Sequence, residues 1–423
     1  MIPALQHLRH ARVPVDYSSR YGLLGRFGVE VAGAFLRAGM TVNAERIADD
    51  ERALGVFFNV LSTDVHTLLS RGLPPSARPM PLVNWLVDSP LAFDTRQWDL
   101  ASQTPGYRLA TTSDEEIQLL KLRWPTIRHG CVPHGVDPEA LCDRDHITPT
   151  HAGAGTTPRD IDVLVTGSIA TPAELLERRQ AVPLRIEKNV HDLVALRLEH
   201  PSLTFTSAYD LSMPTGLAAA EHWNLLNAVF RTSTMMVNAR RRIALVRALQ
   251  GLNVVVLGAG EWGPHCTGTV RHAGNVPFDQ ISAWIKRAKV TIALNPPQFT
   301  HAISERLLLS LAGGAATITD DRLQVRRLFC AGTRGTQSTL LRTFDVTEPS
   351  QARAHAEQLL ADHDARAQMA TIARDEIAGK HLWQHRLIGI VALAVDAIQQ
   401  TTPAKDITEV IVDAKPADQA GVA

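Results

Sequence analysis

The chain has 423 residues, and Lys plus Arg balance Asp plus Glu at 43 each. Zero net charge argues against binding of nucleic acid or anionic membrane by bulk charge. With 45% hydrophobic and 20% charged residues the chain can build a packed interior, and at about 150 residues per domain its length predicts two or three domains.

In chain order, residues 20–39 read as a loop leading into a helix, with Val29, Ala32, Phe35 and Leu36 at helical spacing and Gly39 as the stop. Residues 55–61, 80–87, 107–112 and 127–132 are short apolar runs of strand length. The second ends at Asp88-Ser89-Pro90, the third precedes Ser113-Asp114 as candidate helix caps, and the fourth runs into the Pro133-His134-Gly135 turn. Strands alternating with helices predict a parallel sheet covered on both faces. Residues 146–159, rich in Thr, Gly, Ala and Pro and without periodicity, read as a linker.

A second alternating series follows. Residues 160–167 are a strong buried strand, and 183–223 are helical with breaks at Pro201 and Pro214. A helix at 240–250, a strand at 252–258, a helix at 278–288, a strand at 290–294, a helix at 304–312 and a strand at 315–319 come next. A helical run covers about 351–400, and the tail beyond has little to bury. The predicted architecture is α/β with two domains facing a cleft: 1–150, 160–345, C-terminal helices 346–400 and a disordered tail 401–423. An interdomain cleft beyond the carboxyl ends of strands is where small molecules bind.

The apolar run 387–395, closed by Arg386 and Asp396, is too short to span a bilayer and reads as a buried helix. No secretory signal is read in the first twenty residues. Cys131, Cys142, Cys266 and Cys330 form neither a CxxC pair nor a zinc spacing, so neither a disulfide framework nor a structural metal is expected. The expected compartment is the reducing cytoplasm.

Three turns carry the candidate chemistry. Gly167-Ser168, after the strand at 160–167, lets a backbone approach a bound phosphate, or is an ordinary β–α turn. Arg178 and Arg179 follow and could add positive charge. Gly258, Gly260 and Gly263 satisfy GxGxxG spacing, but Pro264 and His265 would break the helix a dinucleotide site needs, so no NAD site is expected. Trp262 in that loop either stacks on a base or is packed. The third turn joins Asn295-Pro296-Pro297 to Ser304, a good N-cap, with Glu305 and Arg306 in the first turn of a helix buried through Leu307, Leu308 and Leu311. Such a helix end can present N–H groups to a diphosphate. In the first series, Asp88 ends a strand, and His134 and Asp137 lie on a turn after another, where a carboxylate or imidazole can serve as a general base. The run Arg240–Arg242 reads as a solvated face.

The segment from Ile281 through Asn295 to Asp321 resembles the C-terminal domain of group-1 glycosyltransferases of GT-B fold, and within them the spore-maturation-protein CgeB-like set. VNWLVDSP, VPHGVDP and DIDVLVTGS are similar to further segments of that set and occur in the same order, over about residues 83–321. The resemblance implies two Rossmann-like domains, acceptor side first and donor side second, and transfer of a sugar from a nucleotide-sugar to an acceptor hydroxyl without a DxD-type metal site or other cofactor. The acceptor, whether glycan, lipid, protein or small molecule, stays open. By that resemblance Gly167, Ser168, Ser304, Glu305 and Arg306 hold the donor, with Asn295 and Trp262 nearby, His134 lines the acceptor side and Asp88 is the candidate base. One departure is that many group-1 enzymes carry two glutamates eight residues apart. With Glu305 as the second, the first position is Pro297. A nucleotide-sugar epimerase and a non-catalytic carbohydrate- or partner-binding protein are the competing readings.

Overall fold

The computed structural model describes residues 8–15, 23–45, 53–59, 80–147, 159–214, 222–330 and 338–401. Of the predicted linker 146–159 and the predicted tail 401–423, residues 148–158 and 402–423 lie outside the described residues, while Ile147 closes a short helix (Arg144–Ile147) and Thr401 ends the last one.

The first sheet contains β1 (His10–Arg12), β2 (Thr41–Val42), β3 (Ala53–Phe58), β4 (Leu82–Leu86), β5 (Tyr107–Thr111) and β6 (Arg128–Cys131) in the order β2-β1-β3-β4-β5-β6. The second contains β7 (Ile161–Thr166), β8 (Val254–Leu257), β9 (Val270–His272), β10 (Ala288–Ala293), β11 (Ala316–Asp320) and β12 (Arg342–Phe344) in the order β12-β11-β10-β7-β8-β9. Every pairing is parallel. β3, β4 and β5 are buried at every position, which is why they read as continuous apolar runs rather than as alternating strands. These are two parallel, Rossmann-like layers, as the alternation of strands and helices predicts. In the second sheet the order turns back between β7 and β10, so a crevice opens beyond their carboxyl ends.

Six helices position the cleft: α1 (Leu23–Arg37), α2 (Glu187–Glu199), α3 (Phe205–Ser212), α4 (Trp223–Ala248), α5 (Glu305–Ala312) and α6 (Trp383–Thr401). The inward face of α1 is set by Phe27, Val31, Ala34 and Phe35. Of the residues expected there, Val29 and Leu36 are instead exposed. Ser113-Asp114 does not cap the next helix. That helix (Ile117–Arg123) starts behind Glu116, which is left-handed at φ 63° and makes no side-chain cap.

The first sheet ends with β6 and the second begins with β7, but the helices do not follow this division. α2, α3 and the start of α4 bury Val190, Leu193, Phe205, Tyr209 and Phe230 against Phe57, Leu86, Trp98 and Trp124 of the first domain. The far end of α4 buries Leu245, Val246 and Leu249 against Val163 and Val256 of the second. With 26 residues at about 1.5 Å per residue, α4 runs along both domains beside the cleft. α6 returns to the first domain, burying Trp383, Leu387, Ile390 and Val391 with Phe27, Phe35 and Trp85. The first and last crossings lie side by side, with Val136 N donating to His381 O at 3.2 Å and Trp383 N to Val136 O at 3.0 Å. Among the described residues no helix is long and apolar enough to cross a membrane.

Candidate active site

A cavity of about 350 Å³ lies between the sheets. Asn59, Asp88 and His134, which follow β3, β4 and β6, form one wall. Ser168 after β7, Gln298 and Phe299 after β10, and Glu305 and Arg306 at the start of α5 form the other, and α4 contributes Met235, Asn238 and Arg242. A smaller cavity of about 60 Å³ adjoins it. The two share Leu23, Ser168, Glu305 and Arg306, and the smaller adds Gly167, Leu257, Gly258, Asn275, Val276, Phe278 and Ile281.

The first-domain wall is built by side-chain bonds between strand ends. Asn59 has φ 61°, a region asparagine tolerates better than most residues. Its Oδ1 accepts from Val87 N at 2.8 Å and its Nδ2 donates to Asp88 Oδ2 at 2.8 Å. The other Asp88 oxygen accepts from Gln298 Nε2 at 2.9 Å, a bond that crosses between the domains. Burial pushes the Asp88 carboxyl up, against these two hydrogen bonds, and the Glu305 charge adds to the rise. That is the direction a general base needs.

His134 is 1% exposed, and neither ring nitrogen has a hydrogen-bond partner among the described residues. Burial pushes it down to about 4, with Glu305 pulling the other way, so the imidazole is neutral at pH 7. Its ring centroid is 5.9 Å from that of Phe27, and its carbonyl accepts from Arg386 Nε at 2.9 Å. A buried neutral imidazole with both nitrogens unused is available to a hydroxyl-rich ligand. Asp137 is otherwise employed. It caps the turn at Glu139 N and pairs with Arg37 at 3.1 Å.

The second-domain wall is backbone on backbone. Gly167 N donates to Leu257 O at 2.7 Å and Ile169 N to Ala259 O at 3.0 Å, while Ser168 Oγ accepts from Ala259 N at 3.0 Å. A Cβ on Gly258 would overlap the Gly167 carbonyl, and one on Gly260 the Ile169 carbonyl. Gly258 and Gly260 of the GxGxxG spacing therefore serve the packing of two strand-end loops, whereas Gly263 faces open space. Trp262, a candidate donor contact, is fully buried in the cluster with Ile169 and Val256 and does not reach the cavity. Its bulk follows the loop's turn back onto the sheet, away from the cleft.

Asn295 and Ser304 are also buried and act one step back. Ser304 stands at the N-cap position without capping. Its N and Oγ both donate to Asn295 Oδ1, at 2.8 and 3.1 Å. Asn295 N and Nδ2 donate to Asp320 Oδ1 at 2.8 and 2.9 Å. Asp320 also accepts from Arg322, whose guanidinium donates to the carbonyls of Asn295, Pro296, Phe299 and Ala302. This buried relay fixes the loop that sets Glu305 and Arg306 at the helix start. Glu305 is buried and lies 3.6 Å from the Arg306 guanidinium.

Sequence reasoning missed Arg242. The run Arg240–Arg242 was expected to be solvated, but Arg241 and Arg242 are buried. Arg241 donates to Arg197 O at 2.6 Å, and Arg242 donates to Ser168 O and packs flat against Gly167. The available signal was helical periodicity, since Met235, Asn238 and Arg242 share one face once α4 is read from Trp223. Arg178 and Arg179 lie away from the lining, and Arg179 pairs with Glu187. Among the described residues no three His, Cys, Asp or Glu side chains gather as metal ligands.

No curated protein sequence matches the chain. The structure is similar to sucrose-phosphate synthase from Thermosynechococcus elongatus, with 8% identity over 96% of this chain and 100% of that one and a TM-score of 0.49. It is similar to a glycosyltransferase from Rickettsia africae, with 9% identity over 94% and 100% and a TM-score of 0.47, and to Anabaena HepE in complex with UDP and glucose, with 10% identity over 96% and 100% and a TM-score of 0.44. Residues 240–392 match the family model described as glycosyl transferase-like. The stretch carrying Arg242, Gln298, Glu305 and Arg306, which is most of the second-domain wall, is thus glycosyl transferase-like in sequence.

Proposed function

We propose that this protein is a glycosyltransferase of the CgeB-like kind that moves a sugar from a nucleotide-sugar to an acceptor hydroxyl. The carrying observation is one cavity in which Ser168, together with Arg242, Glu305 and Arg306 of a glycosyl transferase-like region, faces Asp88 and His134 of the opposite domain. The smaller cavity, walled by Leu257, Val276, Phe278 and Ile281, suits the flat apolar faces of a nucleobase. The diphosphate lies where the cavities join, against Arg242, Arg306 and the N-terminus of α5. The sugar projects into the larger cavity, where His134 bonds a hydroxyl. Asp88 takes the proton of the acceptor hydroxyl as it attacks the anomeric carbon, and the two guanidinium groups meet the charge that develops on the leaving diphosphate. The proposed setting is the cytoplasm, and the proposed chemistry uses no metal.

Thermal-shift titration with uridine, guanosine, thymidine and adenosine diphosphates tests the site, followed by turnover of the matching sugar nucleotides. One diphosphate should stabilise the protein, and Glu305→Ala should abolish transfer while the fold persists. No stabilisation by any diphosphate, or full activity in Glu305→Ala, overturns the assignment. A product that is an isomerised sugar nucleotide would replace transfer by epimerisation.

A further inference from the structure

The loop between β10 and α5 belongs by sequence to the second domain, yet elements of the other side hold it at three points. Glu115, on the turn after β5, accepts from two successive backbone groups, Thr300 N at 2.7 Å on Oε2 and His301 N at 2.6 Å on Oε1. Gln298 Nε2 reaches Asp88. Arg197, on the helix α2 that packs against the first sheet, donates to Pro297 O. Glu115 is itself oriented locally, because Ser113 Oγ donates to its Oε1 at 3.0 Å and accepts from its N at 3.1 Å. Phe299 and Thr300 are buried by this arrangement, and Gln298 and Phe299 line the cavity.

We infer that residues 296–301 form a clasp closed across the domain boundary, and that Glu115 is its bolt and a positioning residue for group transfer. A carboxylate on two consecutive amides makes charge-assisted bonds that no neutral side chain reproduces in full. A glutamine there accepts from one amide, while its NH₂ opposes the other. The clasp holds Gln298 against Asp88 and leads directly into Glu305 and Arg306, so one segment carries much of the second-domain wall and touches the first. The donor contacts proposed above lie on the second domain and on α4, whereas Asp88 arrives from the first. Loosening the clasp should therefore spare donor binding and impair the chemical step. The positioning role rests on the proposed function, but the clasp itself does not.

Hydrogen exchange of the Thr300 and His301 amides, in the protein without added ligand, tests the clasp directly. In Glu115→Ala both should exchange at least about tenfold faster, with β10 unchanged, and Glu115→Gln should fall between. Unchanged exchange in Glu115→Ala, or an equal rise throughout the second sheet, overturns the clasp. With the sugar nucleotide that the panel identifies, Glu115→Ala should lose about tenfold in kcat with donor KM within about threefold, and Glu115→Gln should recover part of the loss. A loss confined to KM overturns the positioning role. If no sugar nucleotide turns over, the proposed function falls and the exchange result still decides the clasp.

Discussion

At the scale of single residues, the proposed donor site includes an arginine whose role is set by burial. Arg242 and Arg240 are two positions apart on α4, yet Arg242 is buried against Gly167 and Ser168 while Arg240 is exposed. A charge-assisted contact to a diphosphate is worth about 1.5–3 kcal/mol, so Arg242→Ala should weaken nucleoside diphosphate binding by about 10- to 100-fold. Arg240→Ala should leave it unchanged. Calorimetric titration checks both, and equal affinities in the two variants would remove Arg242 from the site. A second residue-scale consequence concerns pH. Burial pushes both His134 and His381 down to about 4. A histidine depressed on folding contributes stability that is full above its ordinary value near 6.5 and is lost as pH falls through about 4. Glu116 opposes this, because burial pushes its carboxyl up to about 7, and its contribution is full below about 4.5 and lost as pH rises through 7. His381 Nδ1 accepts from Arg386 Nη2 at 2.8 Å, a bond that a glutamine oxygen can replace. His381→Gln should therefore flatten the fall of melting temperature between pH 6.5 and 4.5, and a curve parallel to that of the parent would refute the assignment.

At the scale of elements, the strands that hold the core were legible, whereas of the four edge strands only β6 was. β3, β4, β7 and β10 bury nearly every side chain, which leaves long apolar runs in the sequence. β2, β9 and β12 have two or three residues each, too few for any periodicity. The glycine loop after β8 was legible as a loop but not in its purpose. Gly258 and Gly260 are required because Gly167 and Ile169 carbonyls occupy the space a side chain would take, and that contact joins residues about ninety apart. Gly258 has φ 147°, so Gly258→Ala is both strained and crowded against the Gly167 carbonyl. Relief requires the β7 loop to move, and with it Ser168. The variant should lose about 1–3 kcal/mol of stability and lose nucleoside diphosphate binding more than fivefold. Gly263→Ala has open space and should lose neither. Matching denaturation and binding curves for the two variants would show that the loop contact has no such role.

At the scale of the molecule, the chain folds its two sheets in sequence but stabilises the first with residues from the end. α6 reads in the sequence only as an apolar helix, and nothing local to 387–395 says which sheet it covers. Its destination is decided by contacts about 250–350 residues back. The Trp383 ring lies at 5.1 Å from both Trp85 and Phe27, its Nε1 donates to Glu30 Oε2 at 2.6 Å, and Gly135 fits against its backbone where a Cβ would stand 2.9 Å away. Removing that side chain leaves a large cavity in the first-domain cluster, at a cost of about 3–5 kcal/mol. It also removes one of two hydrogen bonds to the buried Glu30 carboxylate, whose other oxygen pairs with Arg26 at 2.8 Å. The second-domain cluster around Val163, Val256 and Leu359 does not contain Trp383, so Trp383→Ala should destabilise the halves unequally. Hydrogen exchange resolves this strand by strand. Amides of β4 should lose protection while those of β10 keep theirs, and urea unfolding should separate into two steps. Equal loss in both strands, with one transition, would mean that the paired crossings at Val136 and Leu382 and the length of α4 bind the domains into a single cooperative unit.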